Sequence, residues 1–386
     1  MTDFQILLVL MVTIWIFGKF FRYLDLPVIF GELLGGIVVG PLVFGLVSPD
    51  SEVIKILAEL GAFFLMLHAG LETDPKKLFH ASKKSLLISL AGIAIPTIGG
   101  FFLAKFWGFP FIEALFIGVA LSTAAIAISV RLLKDCKILG TNVANISIGA
   151  AVINDILALI SFSIVLGIAE NGSIDIAEAC IMVGKIILFF GIVLIGGLKS
   201  AKYIGKFIEK QLFTSTLVVA LFLGIFAEYI GLHAIVGAFL AGLFIQEEIL
   251  NPKRFERLED RVYGITYGFL GPIFFASLAL HLNLSAISDS PVFLVSMIFV
   301  AIFAKVFGAG LAAWYQKIEF KKSMIIGLAM NSRGAVAMII ASIGLDKGII
   351  DETVFSTLIL MVLSATLFST FMMKPLVKKV FPERFK

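Results

Sequence analysis

Ala150-Ala151-Val152-Ile153-Asn154-Asp155-Ile156-Leu157-Ala158-Leu159 sets an amide and a carboxylate side by side in an otherwise apolar run. The apolar residues on both sides place Asp155 near the centre of a membrane span. A carboxylate is costly there and marks an ion or proton pathway by default. The bland alternative is an aspartate that pairs with a lysine to fix helix packing.

The surrounding chain agrees with a membrane setting. Its 386 residues are 60% hydrophobic and 15% charged, with 38 Phe, and the mean hydropathy is +1.06. No soluble domain needs that much apolar surface. A span takes about 20 apolar residues, so the fold class is an all-α polytopic membrane protein. Apolar runs give thirteen expected transmembrane helices, near 3–22, 26–46, 52–71, 84–107, 111–133, 141–169, 176–199, 212–230, 232–249, 262–282, 291–315, 322–345 and 351–376. The start, Met1-Thr2-Asp3-Phe4, lacks the basic region and cleavage site of a signal peptide, so the first run reads as a retained helix. Cys136 and Cys180 fall in segments expected on opposite sides of the membrane, which argues against a disulfide.

The net charge of +4 is not a nucleic-acid patch. Alternate gaps carry Lys83 and Lys84, Arg131 and Lys134, Lys253 and Arg254, and Lys321 and Lys322. About 25 of the 31 Lys+Arg fall on one side. By the positive-inside rule the N-terminus is expected outside and the C-terminus in the cytoplasm of a multi-pass cell-membrane protein.

Pro27-Val28-Ile29-Phe30-Gly31-Glu32-Leu33-Leu34-Gly35-Gly36 aligns without gaps to His233-Ala234-Ile235-Val236-Gly237-Ala238-Phe239-Leu240-Ala241-Gly242, at an offset of about 206 residues. The two helices are seven apart, so they run in opposite directions, the pattern of an inverted repeat in secondary transporters. The same offset carries Leu121-Ser122-Thr123-Ala124-Ala125 close to Ala329-Met330-Asn331-Ser332-Arg333-Gly334. Both are polar, weakly helical interruptions in mid-span, so two crossing discontinuous helices are expected, exposing carbonyls beside a central site. Ser122 and Thr123 then offer oxygens to a small cation, or their hydroxyls bond back to their own helix.

Asp155 supplies the anionic ligand and Asn154 a neutral amide oxygen or a hinge. Burial favours a protonated carboxyl and a nearby cation favours the carboxylate. Such a group holds a proton or a sodium ion, but not comfortably both. Lys305 and Arg333 are further intramembrane charges. Lys305 either pairs with Asp155 and is displaced by sodium, or neutralises the dipoles of the broken helices. Arg333 does not deprotonate and is charge-compensating. Asn331, Ser332 and Glu32 are possible additional site residues. His68, His80, His233 and His281 share no spacing, and neither a hydrolase motif nor a phosphate-binding loop occurs. No enzyme activity and no cofactor are expected beyond transported ions.

Gly31-Glu32-Leu33-Leu34-Gly35-Gly36 through Gly40-Pro41, Glu59-Leu60-Gly61 through Glu72, the Ser122-Thr123-Ala124 break, Asn154-Asp155, Gly237-Ala238-Phe239-Leu240-Ala241-Gly242-Leu243 and Lys305 together resemble the monovalent cation/proton antiporter superfamily, closest to its NapA- and Kef-type branch. The resemblance spans essentially the whole chain. It implies a homodimer of thirteen-helix protomers with an elevator-like core. Residues 1–75 and 211–284 would form the dimerisation domain, 76–170 and 285–386 the ion-binding core, and 171–210 a linker helix. Asn154-Asp155 stands where the NapA-type branch usually has Asp-Asp. The Asn-Asp form is similar to the NhaP-type branch, which usually carries a Glu at the place of Ala150 to pair with the arginine matching Arg333. Kef-type potassium systems commonly carry a C-terminal nucleotide-binding domain not found in this sequence. The expectation is a secondary transporter exchanging sodium or lithium for protons at Asp155, with Thr123 as a further sodium ligand. Potassium/proton exchange is the alternative, and a cation channel the alternative of another class.

Overall fold

A computed structural model describes residues 2–24, 26–73, 83–171, 184–185, 188–189, 191, 212–245, 252–283 and 290–384. Most of the expected helix at 176–199 and of the 171–210 linker lies outside the described residues, as do His80 and Cys180. In chain order the helices are α1 (Asp3–Tyr23), α2 (Val28–Val39), α3 (Glu52–Glu72), α4 (Lys83–Phe106), α5 (Phe111–Ser122), α6 (Ile126–Asp135) and α7 (Asn142–Asn171). There follow α8 (Leu212–Tyr229), α9 (Ala234–Phe244), α10 (Pro252–Ile265), a π-helical turn at Thr266–Leu270, α11 (Gly271–Leu280), α12 (Pro291–Tyr315), α13 (Phe320–Met330), α14 (Ala335–Asp346) and α15 (Glu352–Val380). Among the described residues, eight helices are long and apolar enough to cross a membrane, or nine if the bent α13–α14 pair is one span.

The chain divides into two compact units, Met1–Asp74 with Asp175–Leu282 and Pro75–Ile174 with Asn283–Lys386. In the first, α2 is shorter than the expected 26–46 because Pro41 follows it closely and disfavours continued helix. Its glycines admit neighbouring backbones. A Cβ on Gly31 would lie 2.5 Å from Phe17 O of α1, and one on Gly237 in α9 would lie 2.2 Å from Leu223 O of α8. Gly36 meets Ala276 O at 2.3 Å and Gly242 meets Leu67 O at 2.2 Å by the same construction. The glycines aligned by the repeat thus do matching work, holding each short helix against the helix before it and against a second neighbour.

In the second unit the expected span at 111–133 is two helices, α5 and α6, separated by Thr123-Ala124-Ala125. The span at 322–345 is likewise α13 and α14, bent by 45° across residues 331–334. α5 packs on α14 and α6 on α13. The two breaks touch: a Cβ on Gly334 would sit 3.2 Å from the Ala125 Cβ. Gly118 of α5 lets Thr97 O of α4 approach, and Gly327 of α13 does the same for Val306 O of α12.

α12 shows how this unit is sided. Phe299, Phe303 and Phe307 recur every fourth residue, stack on one another and are partly exposed, as suits a lipid-facing stripe. Ala301, Ile302, Lys305 and Ala309 form the buried face, and Lys305 is 0% exposed. An ammonium on that face must find its acceptors inside the protein.

Candidate functional site

The two interruptions exist because their residues are poor at continuing a helix. Ser122 and Thr123 compete for backbone carbonyls: the Ser122 hydroxyl donates to Val119 O at 2.7 Å and the Thr123 hydroxyl to Ala120 O at 3.0 Å. Both residues are fully buried. Each hydroxyl spends its single proton on its own helix, while its oxygen keeps lone pairs that suit a cation. Beyond Ser122 the next helix begins at Ile126, so the last carbonyls of α5 lack the usual partners and carry the negative end of its dipole.

Lys305 answers that end. Its Nζ donates to Ser122 O, to Gly92 O of α4 at 2.8 Å and to Asn154 Oδ1 of α7 at 2.7 Å. Three bonds account for the three donors of an ammonium. Asn154, fully buried, closes the triangle by donating from Nδ2 to Ser122 O at 3.3 Å. Asp155 follows on the same helix and is 4% exposed. The charges of Asp155 and Arg333 both act on Lys305, the first attracting it and the second repelling it. Lys305 therefore anchors on neutral oxygens with the carboxylate as a nearby counter-charge.

The second break is capped without a charge. Ser129 of α6 donates to Ala329 O at 2.7 Å and lies 2.8 Å from the Ser332 hydroxyl, which itself reaches Ala329 O. Asn331 donates to Ala365 O and Ser369 Oγ of α15, and its own buried Oδ1 has no hydrogen-bond partner among the described residues. Arg333, 1% exposed, donates from Nη2 to Ala301 O at 2.9 Å and from Nη1 to Met361 Sδ. The guanidinium thus takes neutral acceptors. It thereby tethers the break to α12 one turn before Lys305.

Ser122, Thr123, Asn154, Asp155, Lys305, Asn331, Ser332 and Arg333 all belong to the second unit. Glu32 belongs to the first, 7% exposed, where it lines a cavity of about 460 Å³ with Trp15, Lys19, Arg22 and Tyr267. Three contributors escaped sequence reasoning. Gly92 acts through a backbone carbonyl and leaves no side-chain signal. Ser129 and Thr366 are hydroxyls in apolar helices, a pattern that occurs throughout this chain. Thr366 accepts from Arg333 N–H at 3.0 Å and donates to Arg333 O at 2.8 Å, so one hydroxyl clasps both backbone groups of that residue.

A buried carboxylate, an amide oxygen, two hydroxyls and freed carbonyls around two broken helices make a hard-oxygen setting suited to a small cation or a proton. Known proteins agree with that chemistry. The family described as "Sodium/hydrogen exchanger, transmembrane" matches residues 6–379. The Na(+)/H(+)-K(+) antiporter GerN of Bacillus cereus is 31% identical, over 96% of this chain and 95% of that protein. The probable Na(+)/H(+) antiporter GerT of the same organism is 31% identical over 86% and 88%. The solved sodium proton antiporter MjNhaP1 of Methanocaldococcus jannaschii superposes with a TM-score of 0.75, covering 97% of each chain at 20% identity, which speaks for the fold alone. From the match across nearly its whole length, this multi-pass membrane protein belongs to the sodium/hydrogen exchanger family of cation/proton antiporters, which are transporters and not enzymes.

Proposed function

We propose that the chain exchanges sodium or lithium for protons across the cell membrane, cation and proton competing for Asp155. What supports this is a buried carboxylate on α7 next to Asn154, whose amide donates to Ser122 O at the first helix break, with every Lys305 donor engaged by a neutral oxygen. The buried carboxylate is the group whose charge a proton or a cation would change. A proton neutralises it; a sodium ion held by Asp155 and Thr123, with Ser122 and Asn154 beside them, neutralises it equally. If the site opens to one side at a time, that competition couples the two fluxes. One titrating carboxylate per site predicts one-for-one, electroneutral exchange.

The wider mechanism follows the family. Thirteen helices arranged as inverted repeats would place the unit bearing Asp155 as the core that moves, elevator-like, against a dimerisation domain formed by the other unit. The active form would be a homodimer with its N-terminus outside and its C-terminus in the cytoplasm. Potassium/proton exchange is the second reading, because the relative GerN is named for both sodium and potassium.

Proton flux in proteoliposomes tests this. Addition of Na⁺ or Li⁺ to wild type should dissipate a preset pH gradient, K⁺ should do so less, and Asp155→Asn should abolish the response. A valinomycin clamp should leave the rate unchanged. Conduction of cations without proton movement would indicate a channel, and exchange by Asp155→Asn at the wild-type rate would defeat the proposal.

A further inference from the structure

We infer that Pro96 is a positioning residue: by lacking an N–H, it frees the Gly92 carbonyl that anchors Lys305. α4 runs unbroken from Lys83 to Phe106 with Pro96 inside it. In such a helix the N–H of residue 96 would bond to the carbonyl of residue 92. Proline has no N–H, and its ring presses on the carbonyl four residues back. A backbone carbonyl orphaned in this way inside a membrane has no water to turn to. Lys305 Nζ meets it at 2.8 Å. The carbonyl has room around it: even a Cβ at residue 92 would meet only ordinary contacts, at 3.6 Å or more, with Asn154 Oδ1, which also holds Lys305, 3.9 Å away.

The second backbone acceptor has a parallel origin. Ser122 O lacks its helical donor because α5 stops there. A proline in one helix and a break in another thus release two carbonyls toward one point, and Asn154 completes the cage. The ammonium of Lys305 is fixed to α4, α5 and α7 at once. Its position beside Asp155 is set by a covalent feature of α4 more than 200 residues away in sequence, the Lys305–Gly92 bond spanning 213 positions.

The transport consequence rests on the antiport proposal, whereas the structural one does not, and the test separates them. Pro96→Ala supplies the missing N–H, which competes with Lys305 for Gly92 O. In otherwise wild-type protein it should lower the melting temperature and reduce cation-driven proton flux about tenfold, the effect of losing one charge-assisted hydrogen bond. In a Lys305→Met background the same change should raise the melting temperature, because the restored helical bond no longer displaces anything. Equal shifts in both backgrounds would overturn the inference. A second comparison leaves Lys305 intact. An ester linkage, with L-lactic acid at position 96, removes the ring without adding an N–H. It should retain wild-type flux and stability; impairment equal to that of Pro96→Ala would assign the effect to the ring and overturn the inference. Wild-type protein with no cation-driven flux would refute the antiport proposal, and the melting comparisons would still decide the role of Pro96.

Discussion

Thr366→Val should destabilise the second unit out of proportion to its size. The side chain is 2% exposed, and valine matches its shape while removing the hydroxyl. That hydroxyl accepts from Arg333 N–H at 3.0 Å and donates to Arg333 O at 2.8 Å. Arg333 lies in the gap between α13 and α14, where no helical partner replaces either bond. Each hydrogen bond contributes roughly 1 kcal/mol net, and a buried backbone group left without a partner costs roughly 1–3 kcal/mol. The expected loss is about 3 kcal/mol, a shift of several degrees in the melting temperature of purified protein in detergent. Thr357→Val is the control on the same helix. The Thr357 hydroxyl is buried too but only back-bonds to Thr353 O at 2.8 Å, on its own helix, so its loss should cost below about 1 kcal/mol. Thr366→Ser should restore most of the stability. If both valine variants melt together, the hydroxyl clasp does not hold the break.

Asn154→Ala should loosen Lys305 by removing its Asn154 Oδ1 acceptor, at a cost of about 1.5–3 kcal/mol for a bond to a charged donor. Flux assays should show a lower rate, and thermal melts a coupling to Lys305→Met; purely additive losses would refute the bond's importance. Gly237→Ala should impair folding and yield, because its Cβ would sit 2.2 Å from Leu223 O, whereas Gly264→Ala meets nothing within 4 Å and should raise the melting temperature by removing helix-interior flexibility. Burial, aided by the Asp135 carboxylate and opposed by the Lys374 ammonium, pushes the Cys136 thiol up to about 11. Its reactive thiolate is scarce at pH 8, on the order of one part in a thousand, so alkylation followed by mass spectrometry should rise about tenfold per pH unit until pH 11. A plateau by pH 9 would refute that environment.

The one-dimensional pattern was enough to establish the membrane class, the mid-span Asn154-Asp155 pair, the interruptions near Thr123 and Asn331 and the glycine-rich repeat. Each is a local property, since apolar length, helix-breaking polarity and small-residue spacing act over one or two turns. The sequence left Lys305 with two possible roles, because an ammonium's partners are chosen by whichever oxygens the fold brings near. Only the tertiary structure decided that they are Ser122 O, Gly92 O and Asn154 Oδ1, drawn from across 151 to 213 residues of chain. It likewise put the Thr366 hydroxyl on the Arg333 backbone. Residue identity fixes what a group can donate or accept. Inside a membrane, where no water makes up a missing bond, helix packing fixes which partner it must take.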